Sequence, residues 1–161
     1  MLAGRATDTV DASERRTLID RYLEGPRLVA AAVRGMSDAD LDRNDGEGWS
    51  PRKVVHHLAD AEMIASTRVR RLVAEVDVHF VSYDESLWSR TAHYERPIGT
   101  ALALIAAVRT NTAEFLRSLA EAEWLREGTH SEAGRYTPET WLAYYAQHAH
   151  DHAAQIRAFD S

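Results

Sequence analysis

The sequence predicts an all-α protein, most simply a four-helix bundle. Four long segments repeat apolar residues every three or four positions, as the buried face of an α-helix does. No segment alternates apolar and polar residues between hairpin turns, which is the pattern of strands. The 161 residues are 45% hydrophobic and 27% charged, so a single domain over residues 1–161 with one core is expected. Four long helices in one domain pack naturally as a bundle.

The first helix has sequence signals for both of its ends. We predict that it runs from Ser13, a residue type that caps helix N-termini, to Gly35, a residue type that ends helices. Gly25-Pro26 should kink or break it, because proline removes a backbone donor. Residues 1–12 are polar and mixed in charge, and we expect a poorly structured segment without a signal peptide.

The second helix follows a short turn at 37–41 and a polar loop at 43–48. Ser50 is placed to cap this helix, and Pro51 suits its first turn because proline lacks only a donor that would be unused there. The helix is predicted to continue to about Val76.

Two long connections separate the remaining helices. Residues 77–96 make a 20-residue connection between the second and third helices, which is long for a bundle. It should hold local structure or line a site, and it could let the two helices run parallel. Pro97 opens the third helix, and a glycine-containing loop near 126–136 follows it. Thr137-Pro138 then starts the fourth helix, which ends at about Phe159.

Composition excludes several classes of function. The formal net charge of -6 argues against nucleic acid, whose phosphates need a basic face. No stretch approaches the roughly 20 apolar residues of a membrane span, so a cytoplasmic protein is expected. The absence of cysteine rules out disulfides, thiolate metal sites and a cysteine nucleophile. Eight histidines remain, and a transition metal would need their nitrogens or carboxylate oxygens.

Two of the histidines lie one helical turn apart on the fourth helix. His148 and His152 fall within the apolar stripe of that helix, whereas His150 points to the opposite side and is predicted to be solvated. Side chains four residues apart can share one ion. The alternative is a pair of core histidines that hydrogen-bond to tyrosines. Metal binding is favoured because each ring needs partners for two nitrogens.

A third histidine is predicted on the second helix. His57 lies on the flank of the apolar stripe, whereas His56 lies nearly opposite it and is predicted to be solvated. Together, His57, His148 and His152 would supply three neutral nitrogen ligands. Such a set leaves one coordination position open for water or substrate, which is the catalytic rather than the structural pattern of zinc.

Other motifs find no support in the sequence. No Glu-x-x-His precedes any of the three histidines, which removes the carboxylate-bridged di-iron bundle. His-Glu-x-x-His, Gly-x-Ser-x-Gly and glycine-rich nucleotide motifs are also absent. The histidines at 79, 93 and 130 are predicted to be loop residues with no assignable role.

Several motifs resemble the DinB/YfiT-like superfamily, and most closely its YfiT-like branch of metal-dependent hydrolases. The similarity extends over most of the chain from about residue 15. The residues that carry it are Trp49-Ser50-Pro51, Val54-Val55-His56-His57-Leu58-Ala59-Asp60, Tyr83-Asp84-Glu85-x-x-Trp88, Pro97-Ile98 and His148-x-x-x-His152-x-x-Gln155-Ile156.

The resemblance implies a four-helix bundle, often a homodimer, with one divalent metal held by three histidines. The family pattern falls on His57, His148 and His152, the same residues that the helical wheel selects. Zinc and nickel are the metals suggested by analogy, and manganese and iron stay open. Family members often carry a further histidine where this chain has Gln155, so Gln155 is expected to orient a ligand rather than to be one.

Residues around the candidate site have two interpretations each. Asp60 either orients an imidazole through its second nitrogen or is a surface charge paired with Arg52 or Lys53. The aromatic residues of the long connection either line the mouth of the site or cover one end of the bundle. These aromatic residues are Tyr83, Trp88 and Tyr94, and they are accompanied by Asp84.

The resemblance suggests two enzymatic functions, and a third, non-catalytic function stays open beside them. The leading one is transfer of a low-molecular-weight thiol, of the bacillithiol, mycothiol or glutathione type, to a small electrophile, with the metal lowering the pKa of the thiol. The second is a hydrolase whose open metal position activates water toward hydroxide. The third is a non-catalytic module that binds a metal or ligand. A chain without cysteine fits a borrowed thiol, and it fits hydrolysis equally well.

Overall fold

The computed structural model describes residues 10–159 and confirms the predicted four-helix bundle. Four long helices form the bundle, in which α1 packs against α5 and α7, and α3 packs against the same two helices. Within residues 10–159, no helix is both long and apolar enough to cross a bilayer. The helices are α1 (Ala12–Ala32), α2 (Asp38–Leu41), α3 (Pro51–Ala74), α4 (Glu85–Thr91), α5 (Gly99–Ser118), α6 (Glu121–Trp124) and α7 (Pro138–Ala158).

The predicted caps are correct for two of the long helices. Ser50 at the start of α3 and Thr137 at the start of α7 each accept a hydrogen bond from the backbone N–H three residues later. In α1 the cap is Asp11 rather than Ser13, because the Asp11 carboxylate reaches two free N–H groups of the first turn. Residues 1–9 of the expected N-terminal segment lie outside the described part of the chain.

Helix α1 continues through Pro26, so the predicted break is wrong. Pro26 leaves the carbonyl of Tyr22 without its intrahelical donor. Nη1 of Arg109, on α5, donates to that carbonyl at 2.7 Å. At Gly25, a Cβ atom would collide with the Arg109 side chain and lie 2.7 Å from Cβ of Ala149 on α7. The Gly25-Pro26 step is therefore the place where α5 and α7 approach α1 closely.

Arg109 joins all four long helices. Its guanidinium pairs with Glu62 on α3, with Nε and Nη2 at 2.8 and 2.5 Å from the same carboxylate oxygen, and both side chains are 0% exposed. Nη2 also donates to the carbonyl of Tyr145 on α7 at 3.1 Å. The other oxygen of Glu62 accepts the hydroxyl of Tyr22 on α1 at 2.7 Å. Burial raises the pKa of the Glu62 carboxyl, and Arg109 and Tyr22 oppose that shift.

The buried polar network divides the apolar core into two clusters. Along α3, α5 and α7 it lies between one cluster that contains Leu72, Leu116 and Trp141 and another that contains Leu58 and Ile156. Close-packed clusters of this kind supply most of the hydrophobic stabilisation of a bundle. The network between them supplies hydrogen bonds of fixed direction.

The connections contain a small sheet that the sequence pattern does not predict. Strand β1 (His79–Phe80) pairs in parallel with β2 (Gly128–His130), which pairs antiparallel with β3 (Gly134–Tyr136). Strands of two or three residues are too short to show alternation. His79 and His130 therefore lie in strands, not in loops as predicted. The 77–96 connection holds β1 and α4, which agrees with the expectation of local structure.

Replacing Arg109 tests the importance of the network. In Arg109→Met, the Glu62 carboxylate would be buried without its cation, so we expect the free energy of unfolding to fall by about 3–5 kcal/mol. Urea denaturation followed by circular dichroism measures this loss. The control is Arg117→Met, which removes an exposed ion pair with Asp20 and should cost less than about 1 kcal/mol. Equal, small losses in both variants would contradict a structural role for the buried pair.

Candidate metal centre

Three histidines from two helices converge inside the bundle. His57 comes from α3, and His148 and His152 come from α7. Their potential ligand nitrogens all lie within 4.8 Å of one another. The ring centroids are 4.6 Å apart between His148 and His152, 4.9 Å between His57 and His152, and 5.5 Å between His57 and His148. Among residues 10–159, no other group of three or more histidine, aspartate or glutamate side chains has its potential ligand atoms this close together.

Packing of α3 against α7 places these rings. The four-residue spacing puts His148 and His152 one turn apart on α7. Small buried residues on the same helix, Ala149 and Ala153, allow the neighbouring helices to come close. Trp49, which precedes α3, packs its indole edge-on to His57 at 5.6 Å between centroids. The imidazoles are therefore held between two packed helices and an aromatic wall.

Two ring nitrogens of the group are buried without a hydrogen-bond partner. These are Nε2 of His57 and Nδ1 of His148. Nε2 of His148 and Nε2 of His152 lie 3.1 Å apart. Two nitrogens on one tetrahedral ion, each at about 2.0–2.1 Å, are separated by about 3.3 Å. An unpartnered buried nitrogen is costly, and a cation shared with Nε2 of His148 and Nε2 of His152 would satisfy Nε2 of His57.

Burial keeps the three imidazoles neutral. It lowers the pKa of His57 to about 3 and that of His148 to about 2, and neighbouring histidines add to both shifts. It also lowers the pKa of His152, although the hydrogen bond to Gln155 opposes this effect. Neutral imidazole is the form that binds a metal, because the ligand needs a free lone pair.

Gln155 contacts one of the three rings. Its Oε1 lies 2.7 Å from Nδ1 of His152, in the orientation that lets Nδ1–H donate to the amide oxygen. That bond leaves the lone pair of His152 on Nε2, which faces His148. His150, predicted to be solvated, is half-buried and lies outside the group, with Nε2 at 3.0 Å from the carbonyl of Arg21.

The structure places Asp60 in neither of its predicted roles. Its carboxylate accepts the hydroxyl of Tyr94 at 2.7 Å. Arg52 pairs instead with acidic residues around α2, and Lys53 donates to the carbonyl of Gly48. Among the hydrogen bonds of the described residues, none joins Asp60 to the three histidines. Asp60 therefore fastens the 77–96 connection to α3.

His56 is buried, contrary to the prediction that it is solvated. It is 3% exposed, its ring stacks on Tyr94 at 5.5 Å, and Nε2 lies 2.9 Å from the carbonyl of Arg96. The helical wheel places His56 correctly on the face opposite the apolar stripe. The 77–96 connection covers that face, and periodicity within a helix contains no information about where a connection lies.

A cavity of about 640 Å³ opens beside His148, a size typical of small-molecule sites. Tyr83 lines the cavity, as predicted by the interpretation in which aromatic residues of the 77–96 connection line the mouth of the site. Trp88 packs against the Tyr83 ring, with 4.6 Å between the ring centroids. Tyr94 does not line this cavity, because it is 2% exposed between His56 and Asp60. The other residues that line the cavity are Ala61, Arg68, Ser82, Asp84, Glu85, Ser86, His130, Glu132, Ala133, Tyr136, Tyr144 and Tyr145.

Sequence reasoning missed most of the cavity wall. Tyr144 stacks on His148 at 5.3 Å yet remains 56% exposed, so its ring stands between the histidines and solvent. In the sequence, Tyr144 is adjacent to Tyr145 of the apolar stripe, so helical periodicity did not mark Tyr144 as a residue of the cavity wall. Arg68 follows His57 by eleven residues, which is three helical turns and the same face of α3. The eleven-residue spacing from His57 was the sequence signal that could have placed Arg68 on the cavity wall.

The fold and the histidine group define a class, namely a four-helix bundle with a candidate three-histidine metal site. Within that class, the chain belongs to the DinB superfamily, whose family model matches residues 21–156. This result confirms the family resemblance inferred from the helix-boundary and histidine motifs.

Proteins from two bacteria match most of the chain. A protein of Geobacillus thermodenitrificans named "Putative metal-dependent hydrolase" is 36% identical over 149 residues, which are 90% of this chain and 83% of that protein. The protein of Bacillus subtilis named "Putative metal-dependent hydrolase YfiT" is 31% identical over 154 residues, or 92% of this chain and 85% of its own.

A solved structure matches almost the whole chain. It is that of YfiT from Bacillus subtilis, described as "a probable metal-dependent hydrolase with an unusual four-helix bundle topology". The TM-score is 0.87 at 28% sequence identity, and the match covers 98% of this chain and 91% of the other.

Proposed function

We propose that His57, His148 and His152 hold one divalent metal and that the chain is an enzyme that transfers a low-molecular-weight thiol to a small electrophile. One observation carries the proposal: three neutral imidazoles, two buried with an unpartnered nitrogen and one half-buried, converge beside a cavity large enough for a small molecule. A purely structural site would not need an open cavity at its side.

The donor set suits zinc or nickel. Both metals accept imidazole nitrogen readily, and three protein ligands leave a position open. Bound there, such an ion lowers the pKa of a thiol or a water molecule in that position and so supplies a nucleophile at neutral pH. The resemblance adds a homodimer. The cytoplasm, the location expected from the sequence, is a compartment where small thiols are kept reduced.

The residues of the chain would position the ligands and the reactants. Gln155 fixes the ring of His152, and the stacked Tyr144 fixes the ring of His148 and limits access of water. The remaining volume of the cavity would hold the electrophile and the body of the thiol. Because the chain contains no cysteine, the sulfur must come from that second molecule.

Within the described residues, the histidine group itself contains no carboxylate, and Glu62, five residues after His57, is sealed by Arg109 and Tyr22. A thiol that has lost its proton needs no general base. A carboxylate base for attack by water would have to come from the cavity wall, where Asp84, Glu85 and Glu132 lie.

A metal-dependent hydrolase is the second candidate. The observation in its favour is the name of the relatives, several of which are called "Putative metal-dependent hydrolase". The same histidine group and cavity would serve this reaction, with water in place of the thiol.

Metal titration tests the shared premise of both candidates. The wild-type protein should bind one zinc or nickel ion per chain, as measured by calorimetry after chelator treatment. His57→Ala, His148→Ala and His152→Ala should each lose stoichiometric binding, because two ligands hold an ion poorly. His150→Ala is the matched control on α7 and should bind as the wild type does. Loss of binding in the control alone would overturn the ligand assignment.

Replacing Gln155 tests the orientation of His152. In Gln155→Ala, the His152 ring loses the acceptor at Nδ1, and we expect metal affinity to fall by about 10- to 100-fold. Competition against a chromogenic chelator measures the affinity. Gln147→Ala is the control, because Gln147 lies on the exposed side of α7 and hydrogen-bonds to Asp151. Equal affinities for both variants would show that Gln155 does not support the ligand.

The reaction itself is tested by offering the zinc-loaded protein a thiol and an electrophile. We expect the thioether conjugate, detected by mass spectrometry, to form faster with protein than without it, and His148→Ala to abolish the difference. A product that forms without any added thiol would identify the hydrolase instead. Metal binding without turnover of either kind would favour a binding module.

A further inference from the structure

A buried arginine on the cavity wall has no carboxylate partner among the described residues. Arg68 is 9% exposed, and its Nη2 donates to the carbonyl of Val81 at 2.8 Å. Its guanidinium also lies over the ring of Phe80 at 5.9 Å. Arginine stays charged at any physiological pH, and a buried charge without a counter-ion is costly.

The remaining N–H groups of Arg68 are available to a ligand. A guanidinium has five N–H donors, and the bond from Nη2 to the carbonyl of Val81 uses one of them. Arg68 lines this cavity, and it also lines a second cavity of about 430 Å³ beside Phe80 and Val81. A planar fork of this kind matches the two oxygens of a carboxylate.

Two further hydrogen-bond donors line the same cavity. The hydroxyl of Tyr83 is buried without a partner. Burial raises the pKa of Tyr83, so the hydroxyl keeps its proton, and the nearby charge of Arg68 opposes that shift. Nδ1 of His130 accepts backbone N–H groups from Glu132 and Ala133, so a neutral His130 ring carries its proton on Nε2. Burial lowers the pKa of His130, and the positive charge of Arg68 lowers it further.

We propose that Arg68, Tyr83 and His130 form a subsite for a carboxylate or similar oxyanion, carried by one of the two reactants. The inference deepens the proposed function, on which it rests, by naming the substrate class as a small molecule with an anionic group. Arg68 lies about 16 Å beyond His57 along the axis of α3, with Ala61 of the cavity wall between them. The anionic group would therefore lie away from the reacting atoms.

Three carboxylates on the cavity wall restrict the ligand to one anionic group. Asp84, Glu85 and Glu132 also line the cavity, and in the described residues none of them forms an ion pair with Arg68. Burial raises the pKa of Glu85, and the charge of Glu132 adds to the shift. A second negative charge on the ligand would meet these side chains, whereas a single one can pair with Arg68.

Binding to the metal-free protein tests the subsite separately from the reaction. The probes are two matched pairs, phenylacetate with phenylacetamide and mercaptoacetate with mercaptoacetamide, titrated by NMR. We expect the carboxylate to bind about tenfold more tightly than the amide in at least one pair. A preference in the mercapto pair alone would place the anion on the thiol, and a preference in the phenyl pair alone would place it on the electrophile. No preference in either pair overturns the proposal, whether or not the protein binds metal.

Three variants identify the residues responsible. Arg68→Met should abolish the preference for the carboxylate, whereas Arg71→Met should keep it. Arg71 is a matched control because it lies on the same helix over the same Phe80 ring but outside this cavity. Tyr83→Phe removes a hydroxyl that has no partner, so it should fold normally and weaken carboxylate binding several-fold. A carboxylate preference that persists in Arg68→Met contradicts the subsite. If Arg68→Met fails to fold, Tyr83→Phe decides, and unchanged carboxylate binding in that variant contradicts the subsite.

Discussion

The bundle depends on one buried guanidinium. Arg109 bonds to Glu62 on α3 and to carbonyls of α1 and α7, so its planar fork sets the relative heights of four helices. Apolar packing alone tolerates sliding of one helix along another, whereas hydrogen bonds of fixed direction do not. Glu62 follows His57 by five residues, and Tyr145 precedes His148 by three. The network therefore also fixes the distance between the two helices that carry the histidines.

Without a bound ligand, the histidine group lowers the stability of the fold, but it provides a site that can bind a ligand. His57 and His148 occupy buried positions where an apolar side chain would satisfy the core, and each leaves a ring nitrogen without a partner. Such a group is costly until something binds it. Binding of a metal to the folded state would then stabilise the fold, because the unfolded chain has no assembled site.

Sequence reasoning succeeded where the information is local to one helix. The caps at Ser50 and Thr137, the apolar stripes and the one-turn spacing of His148 and His152 all depend on neighbours within a few residues. It failed where distant residues decide the outcome. Pro26 does not break α1 because Arg109 supplies the missing donor, and His56 is buried because a connection folds over it. No pattern within one helix reports such contacts.

The cavity wall is divided between packed helices and connections. The three histidines and Arg68 lie on packed helices, which hold their geometry, whereas Tyr83 and His130 lie on the 77–96 connection and the small sheet. Connections tolerate substitution better than packed helices do. A relative that shares the bundle at about 30% identity can therefore keep the histidine group and still present a different cavity wall. The part of the cavity formed by the connections is thus the part most open to variation among such relatives.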